Sequence, residues 1–199
     1  MRRLPTHAIR IVFFFAICAC ISAQNTGRFA ALTSKGIELI DKGRYNEAIN
    51  ALEEVWELDQ SDPAVAENLG LAYLYADRDS AKAQGLMETA IAGGGRASFV
   101  MQHAHEKVTA ISMDTNDFCV GRLSIYKDRM TFKASNPDHS FTIQAGEFKE
   151  IKQNKWFGSG EGVYHIRTLG KRTYNLRPKT WSDRETKLVL YFIDKYIKR

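Results

Sequence analysis

The sequence predicts an α+β protein: an N-terminal helical-hairpin repeat followed by a seven-stranded β barrel that a C-terminal helix closes. Three observations carry this prediction. Gly36 and Gly70 stand 34 residues apart in similar surroundings, KGIELIDKGRYNEAI and LGLAYLYADRDSAKA, which is the period of a repeated helix-turn-helix unit. After Gly93-Gly94-Gly95 the apolar spacing changes from about 3.6 residues to two. The last segment begins with Ser182-Asp183-Arg184-Glu185, the pattern of a capping box.

The chain begins with a basic stretch carrying Arg2, Arg3 and Arg10, then an uncharged apolar run from Ile11 to Ser22, then the small-residue site Ser22-Ala23-Gln24. That is the layout of a secretory signal, and the run falls short of the roughly 20 apolar residues a spanning helix needs. Residues 1–23 are therefore expected to be a signal peptide cleaved near Ala23, leaving an exported protein, periplasmic or secreted. The run Ile17-Cys18-Ala19-Cys20 offers a bacterial lipobox as the alternative, with Cys20 as the lipidated residue. Ordinary cleavage leaves Cys119 as the one remaining cysteine, so no internal disulfide is expected. Cys119 sits in the apolar alternation FCVGRLSIY, the setting of a small buried hydrophobe rather than a nucleophile.

Residues 28–93 read as the helical repeat domain. In the first copy Gly36 and Ala48 are small enough for two antiparallel helices to approach closely, with Leu39, Tyr45, Leu52 and Val55 in the seam. Asp62-Pro63 then ends one hairpin and starts the next helix, because proline is tolerated in a first turn. These positions resemble the tetratricopeptide repeat family: from Arg28 to Ser61 the glycine, tyrosine and alanine of its pattern fall on Gly36, Tyr45 and Ala48. The second copy keeps Leu69, Gly70 and Tyr73, and aligns Ala83, Met87 and Ala90 once a residue is inserted near Asp77 to Ser80. The resemblance implies about two repeats and a concave, partner-binding face made by the first helix of each pair. That face falls on Thr33, Ile37, Ile40 and Asp41, then Glu67, Asn68, Leu71, Leu74 and Tyr75. Asn68 matches the asparagine of family members that clamp a carboxylate, but the clamp lysines are missing. A continuous repeat core normally takes about three copies, so the β domain is expected to cover the last helix. The concave face itself is expected either to meet a partner or to pack on that domain.

Residues 97–199 read as the β domain. Phe99, Met101 and His103 alternate with polar or outward positions, and the alternation returns in Cys119–Ile125, Met130 and Phe132, HSFTIQA, EFKEIKQN, GVYHIRTL and RTYNLRPK. Turns fall at Lys127-Asp128, Asn136-Pro137-Asp138 and Leu169-Gly170. The closing helix carries the stripe Val189, Phe192, Ile193, Tyr196 and Ile197. Seven strands and one helix in this order resemble a pleckstrin-homology-like (PH-like) or GRAM-like domain. The lipid-binding members' basic cluster is absent from HAHEKVTAISMDTND, so the resemblance implies protein or peptide binding.

Charge is unevenly placed: residues 24–119 sum to −7 and residues 120–199 to +9. Either the halves attract each other or each meets a partner of opposite sign. Arg167, Lys171, Arg172, Arg177 and Lys179 would form a positive face, a candidate for weak contact with an anionic membrane surface as well as an ordinary solvated face. The export signal and the near-balance of charge argue against a nucleic-acid partner. In QNKWFGSGEG, Trp156 and Phe157 are candidate interface anchors, and no helix follows the glycines to make a phosphate loop. The enzymatic alternative is a metal-dependent hydrolase using His103 and His105 with His139, His165 or an aspartate. There is no HExxH, GxSxG or paired-carboxylate pattern to favour it. The sequence thus predicts a non-enzymatic protein-interaction adaptor without cofactor or metal, and sets no oligomeric state.

Overall fold

The computed structural model describes residues 27–104, 118–155, 162–180 and 182–198. Helix α1 covers residues 27–41 and is followed by α2 (Tyr45–Trp56), α3 (Pro63–Tyr75) and α4 (Ser80–Ala92). The two glycines do what their spacing predicts. A Cβ on Gly36 would fall 2.5 Å from Leu52 Cγ, and one on Gly70 would fall 3.0 Å from Met87 Cγ, so glycine is what lets each pair of helices close. Asp62 caps α3 by accepting from the N–H of Ala64 at 2.8 Å and of Val65 at 3.2 Å, with Pro63 in the first turn. Asp79 caps α4 through the Lys82 N–H at 2.9 Å. The extra residue between these helices is absorbed by Asp77, whose φ of 56° is a left-handed conformation that aspartate tolerates.

Seven strands follow: β1 (Ala97–Ala104), β2 (Phe118–Ile125), β3 (Arg129–Ala134), β4 (Phe141–Gln144), β5 (Phe148–Lys155), β6 (Gly162–Thr168) and β7 (Thr173–Pro178), and α5 (Asp183–Tyr196) ends the chain. They form one antiparallel sheet in the order β4-β3-β2-β1-β7-β6-β5. The seven-strand expectation therefore holds, but the expectation of a closed barrel does not. β4 and β5 stand at opposite ends of the sheet and are not paired. Two features account for this: β4 is only four residues long between short 3-10 turns, and the start of β5 carries a register shift between Phe148 and Glu150. The sheet nevertheless curls enough for Phe141 of β4 to stack on Tyr174 of β7, ring centroids 3.9 Å apart.

The concave side of the sheet is lined by Phe99, Met101, Leu123, Ile125, Phe132, Ile143, Tyr164, Ile166 and Leu176, all fully buried. α5 covers it with Val189, Phe192, Ile193 and Ile197, and the Phe192 ring lies 6.0 Å from that of Phe99. Burying such side chains contributes about 1.5–3 kcal/mol each. The apolar core runs without a break from these residues into α1–α4. β1 and α5 occupy the side of α3 and α4 that a further repeat would cover: Asp77 pairs with Arg184, and Glu88 receives both Tyr191 Oη and, at 2.9 Å, Lys195 Nζ. Asp41 lies 3.6 Å from Arg122 of β2. Each of these pairs sets an acid of the helical half against a base of the β half, so part of the charge polarity is spent within the chain.

Candidate interaction site

On α3 the groove-facing residues meet the chain's own sheet. Glu67 accepts from Arg96 Nε at 2.8 Å and from Ser98 Oγ at 2.5 Å, and Arg96 also reaches Tyr126 Oη at 3.2 Å. Asn68 is buried with its amide donating to the Ala64 carbonyl at 2.8 Å, one turn back on its own helix. Leu71 and Leu74 are buried. The Tyr75 hydroxyl accepts from the Val100 N–H at 2.7 Å and donates to Glu185, while its ring packs 5.4 Å from that of Tyr45. Of the two sequence expectations for this face, the structure displays packing on the β domain in the second repeat.

The first repeat is more open. Thr33 and Ile37 are half-buried on α1, Ile40 is buried and Asp41 is exposed near Arg122. Within the expected partner-facing set Asn68 and Leu71 are buried, Tyr75, Thr33 and Ile37 are half-buried, and Asp41 is exposed. Trp156 and Phe157 lie outside the described residues, as do residues 1–26, which include the expected signal peptide, and His105.

Two of the basic candidates have partners within the chain. Arg167 of β6 bonds Glu150 at 3.1 Å. Arg177 of β7 bonds Gln102 at 2.6 Å with its guanidinium 3.8 Å from the Phe118 ring, and burial lowers its pKa. Arg172 is exposed in the turn between β6 and β7.

His103 and His165 are separated by the sheet. His103, paired with Cys119 and Leu176, faces the concave side, where its ring lies 5.7 Å from both Phe132 and Phe141 and 6.4 Å from His139. His165 lies on the other face, its Nδ1 2.6 Å from Asn175 Oδ1. A shared ligand set of His103 and His165 is ruled out by this alternation, and among the described residues no three His, Cys, Asp or Glu side chains form a cluster that could hold a metal ion. The Cys119 sulfur is 3.8 Å from His103 Nδ1, and burial pushes the thiol up, which keeps it protonated.

Sequence reasoning missed Glu185. It was legible as the fourth residue of a capping box, and Ser182 does cap α5 by accepting from the Glu185 N–H at 3.5 Å. Its carboxylate, however, turns away to accept from Tyr75 and Thr180. Burial raises its pKa in spite of both hydrogen bonds, and burial together with the nearby Glu185 charge raises Tyr75 well above the usual phenol range. No local signal distinguishes this from an ordinary cap.

A TPR repeat family model matches residues 36–75, the span from the Gly36 contact to the end of α3, which supports a tetratricopeptide-like helical repeat in this part of the helical half. No relative among the curated proteins matches significantly. Among solved structures, the C-terminal domain of an unknown protein from Leishmania infantum is similar at a TM-score of 0.39 and 17% identity, over 51% of this chain and 82% of that one. Inner Membrane Complex Sub-compartment Protein 3 from Toxoplasma gondii is similar at a TM-score of 0.37 and 13% identity, over 50% and 73%. The Slm1 PH domain in complex with phosphoserine is similar at 0.32 and 9% identity, over 50% and 90%. These likenesses are too distant to carry an argument about function.

Proposed function

We propose that the chain is an exported, non-enzymatic adaptor that binds a protein or peptide partner. The observation that carries this reading is the tetratricopeptide match at residues 36–75, on a repeat whose α1 edge, with Thr33, Ile37 and Asp41, is the least covered part of the groove. A partner segment lies along α1 with Ile37 as its apolar contact and Asp41 as its charged one, and Trp156 and Phe157 supply a second contact. The β half serves as the PH-like partner of the repeat, making the two halves one rigid unit. Export follows from the apolar run and the cleavage pattern near Ala23.

The test is affinity capture from cell-envelope extracts with the full chain and with a T33K/I37K variant. A partner recovered by the first and lost with the second, at unchanged melting temperature, supports the reading. Equal recovery by both refutes the α1 site. Fractionation that leaves the chain in the cytoplasm at full length refutes export.

A further inference from the structure

We propose that the Glu185 carboxyl is a proton-responsive latch between the helical repeat and the sheet, holding α3 against β1 more firmly when protonated than when ionised. The inference is independent of the partner the chain takes.

The geometry of the joint is the starting point. The strand ladder of β7 with β1 ends at Met101, opposite Pro178, and beyond it the Lys179 N–H still donates to the Val100 carbonyl at 3.1 Å. One residue further along β1, the Val100 N–H is satisfied by the Tyr75 hydroxyl at 2.7 Å. That hydroxyl donates a hydrogen bond to Glu185, whose second oxygen accepts from Thr180. A strand edge, a repeat helix and the start of α5 therefore meet at one carboxyl, which is 1% exposed.

The groups that face it are neutral. They are Tyr75 of α3, Tyr45 of α2, Tyr164 of β6 and Thr180 ahead of α5. Of the charged neighbours, Asp183 is on its own helix, Arg184 is taken by Asp77, and Arg122 of β2 acts on Tyr45. Among the described residues no cation contacts the carboxylate. An anion buried without a cation is strongly disfavoured, and desolvation accordingly raises this group above the ordinary carboxylate range.

The sign follows from linkage. Between the ordinary glutamate value and the higher folded value, the docked state holds a proton that the open state has released, so docking weakens as pH rises through that window. Above the window the loss is complete. The Glu88–Lys195 ion pair that flanks the joint responds in the opposite sense, since the Glu88 carboxyl is held below its ordinary value and acid removes the pair. Opening the joint would expose Leu71 and Leu74, the buried part of the groove.

The experiment uses the full chain, labelled with ¹³C at glutamate carboxyls, and an E185Q variant. The Glu185 resonance is expected to titrate above the ordinary glutamate range; a midpoint at or below it overturns the proposal. The second readout is hydrogen exchange of the Val100 amide, corrected for the intrinsic pH dependence of exchange. Protection in the native chain is expected to fall by up to about tenfold per pH unit inside the window, and this component is expected to vanish in E185Q. Identical pH dependence in both proteins overturns the proposal. Should E185Q fail to fold, the carboxyl titration of the native chain decides alone.

Discussion

The hydroxyl of Tyr75 donates to the carboxylate of Glu185, 110 residues further along the chain, and at the same oxygen accepts from the backbone of Val100. Tyr75→Phe removes both bonds while keeping the ring against Tyr45. It leaves a buried carboxyl and a backbone N–H short of partners, at about 1–3 kcal/mol. Urea denaturation of native and variant chains measures the loss, and an unchanged midpoint would show that the contact holds nothing.

Phe192 is fully buried between Phe99 and the aromatic rings of Tyr191 and Tyr196. Phe192→Asp places an uncompensated charge there, which costs more than the stability a domain of this size commands. Circular dichroism is expected to report loss of the β half. A soluble variant with native melting temperature would contradict the packing of α5.

Gly36 has no room for a side chain, because Leu52 is itself buried and its branch carbon stands where the new methyl would go. Gly36→Ala is expected to destabilise by about 1–3 kcal/mol through overpacking. Gly85, with nothing within 4 Å of an added Cβ, is the control. There, Gly85→Ala is expected to gain up to about 1 kcal/mol from helix propensity. Thermal melts of the pair test both signs.

Glu53 is held below the usual carboxylate range by Lys82 at 2.8 Å and then by Tyr73, and Glu88 by Tyr191 and then Lys195. Because their folded values are depressed, their contribution is present above the ordinary glutamate pKa and lost as pH falls through the folded value. Acid is therefore expected to loosen α2 from α4 and α4 from α5. An E53Q/E88Q variant is expected to show a flatter acid limb in a plot of melting temperature against pH, with an unchanged limb counting against these contacts.

Much of the fold was legible because its signals are local. All seven strands fall where the two-residue alternation places them, Asp62-Pro63 starts α3, and Ser182 starts α5. The site was less legible. The pattern that marks Leu71 and Tyr75 as one face of a helix says nothing about what that face touches, and here it touches β1 and α5. The placement of His103 relative to His165 was illegible for a related reason: their strands are not adjacent, and residues of like chemistry end on opposite sides of one sheet.

The amino-acid order by itself determined the change from helix to strand across the glycine run and the faces each element must bury, since periodicity and capping are properties of a few neighbouring residues. Three-dimensional packing alone decided that β1 and α5 meet the Tyr75 side of α3, that β4 and β5 stay unpaired, and that the Glu185 carboxylate turns to Tyr75. Those outcomes depend on which surfaces compete for the same apolar area and the same hydrogen bonds across more than a hundred residues, and no short window of sequence holds that competition.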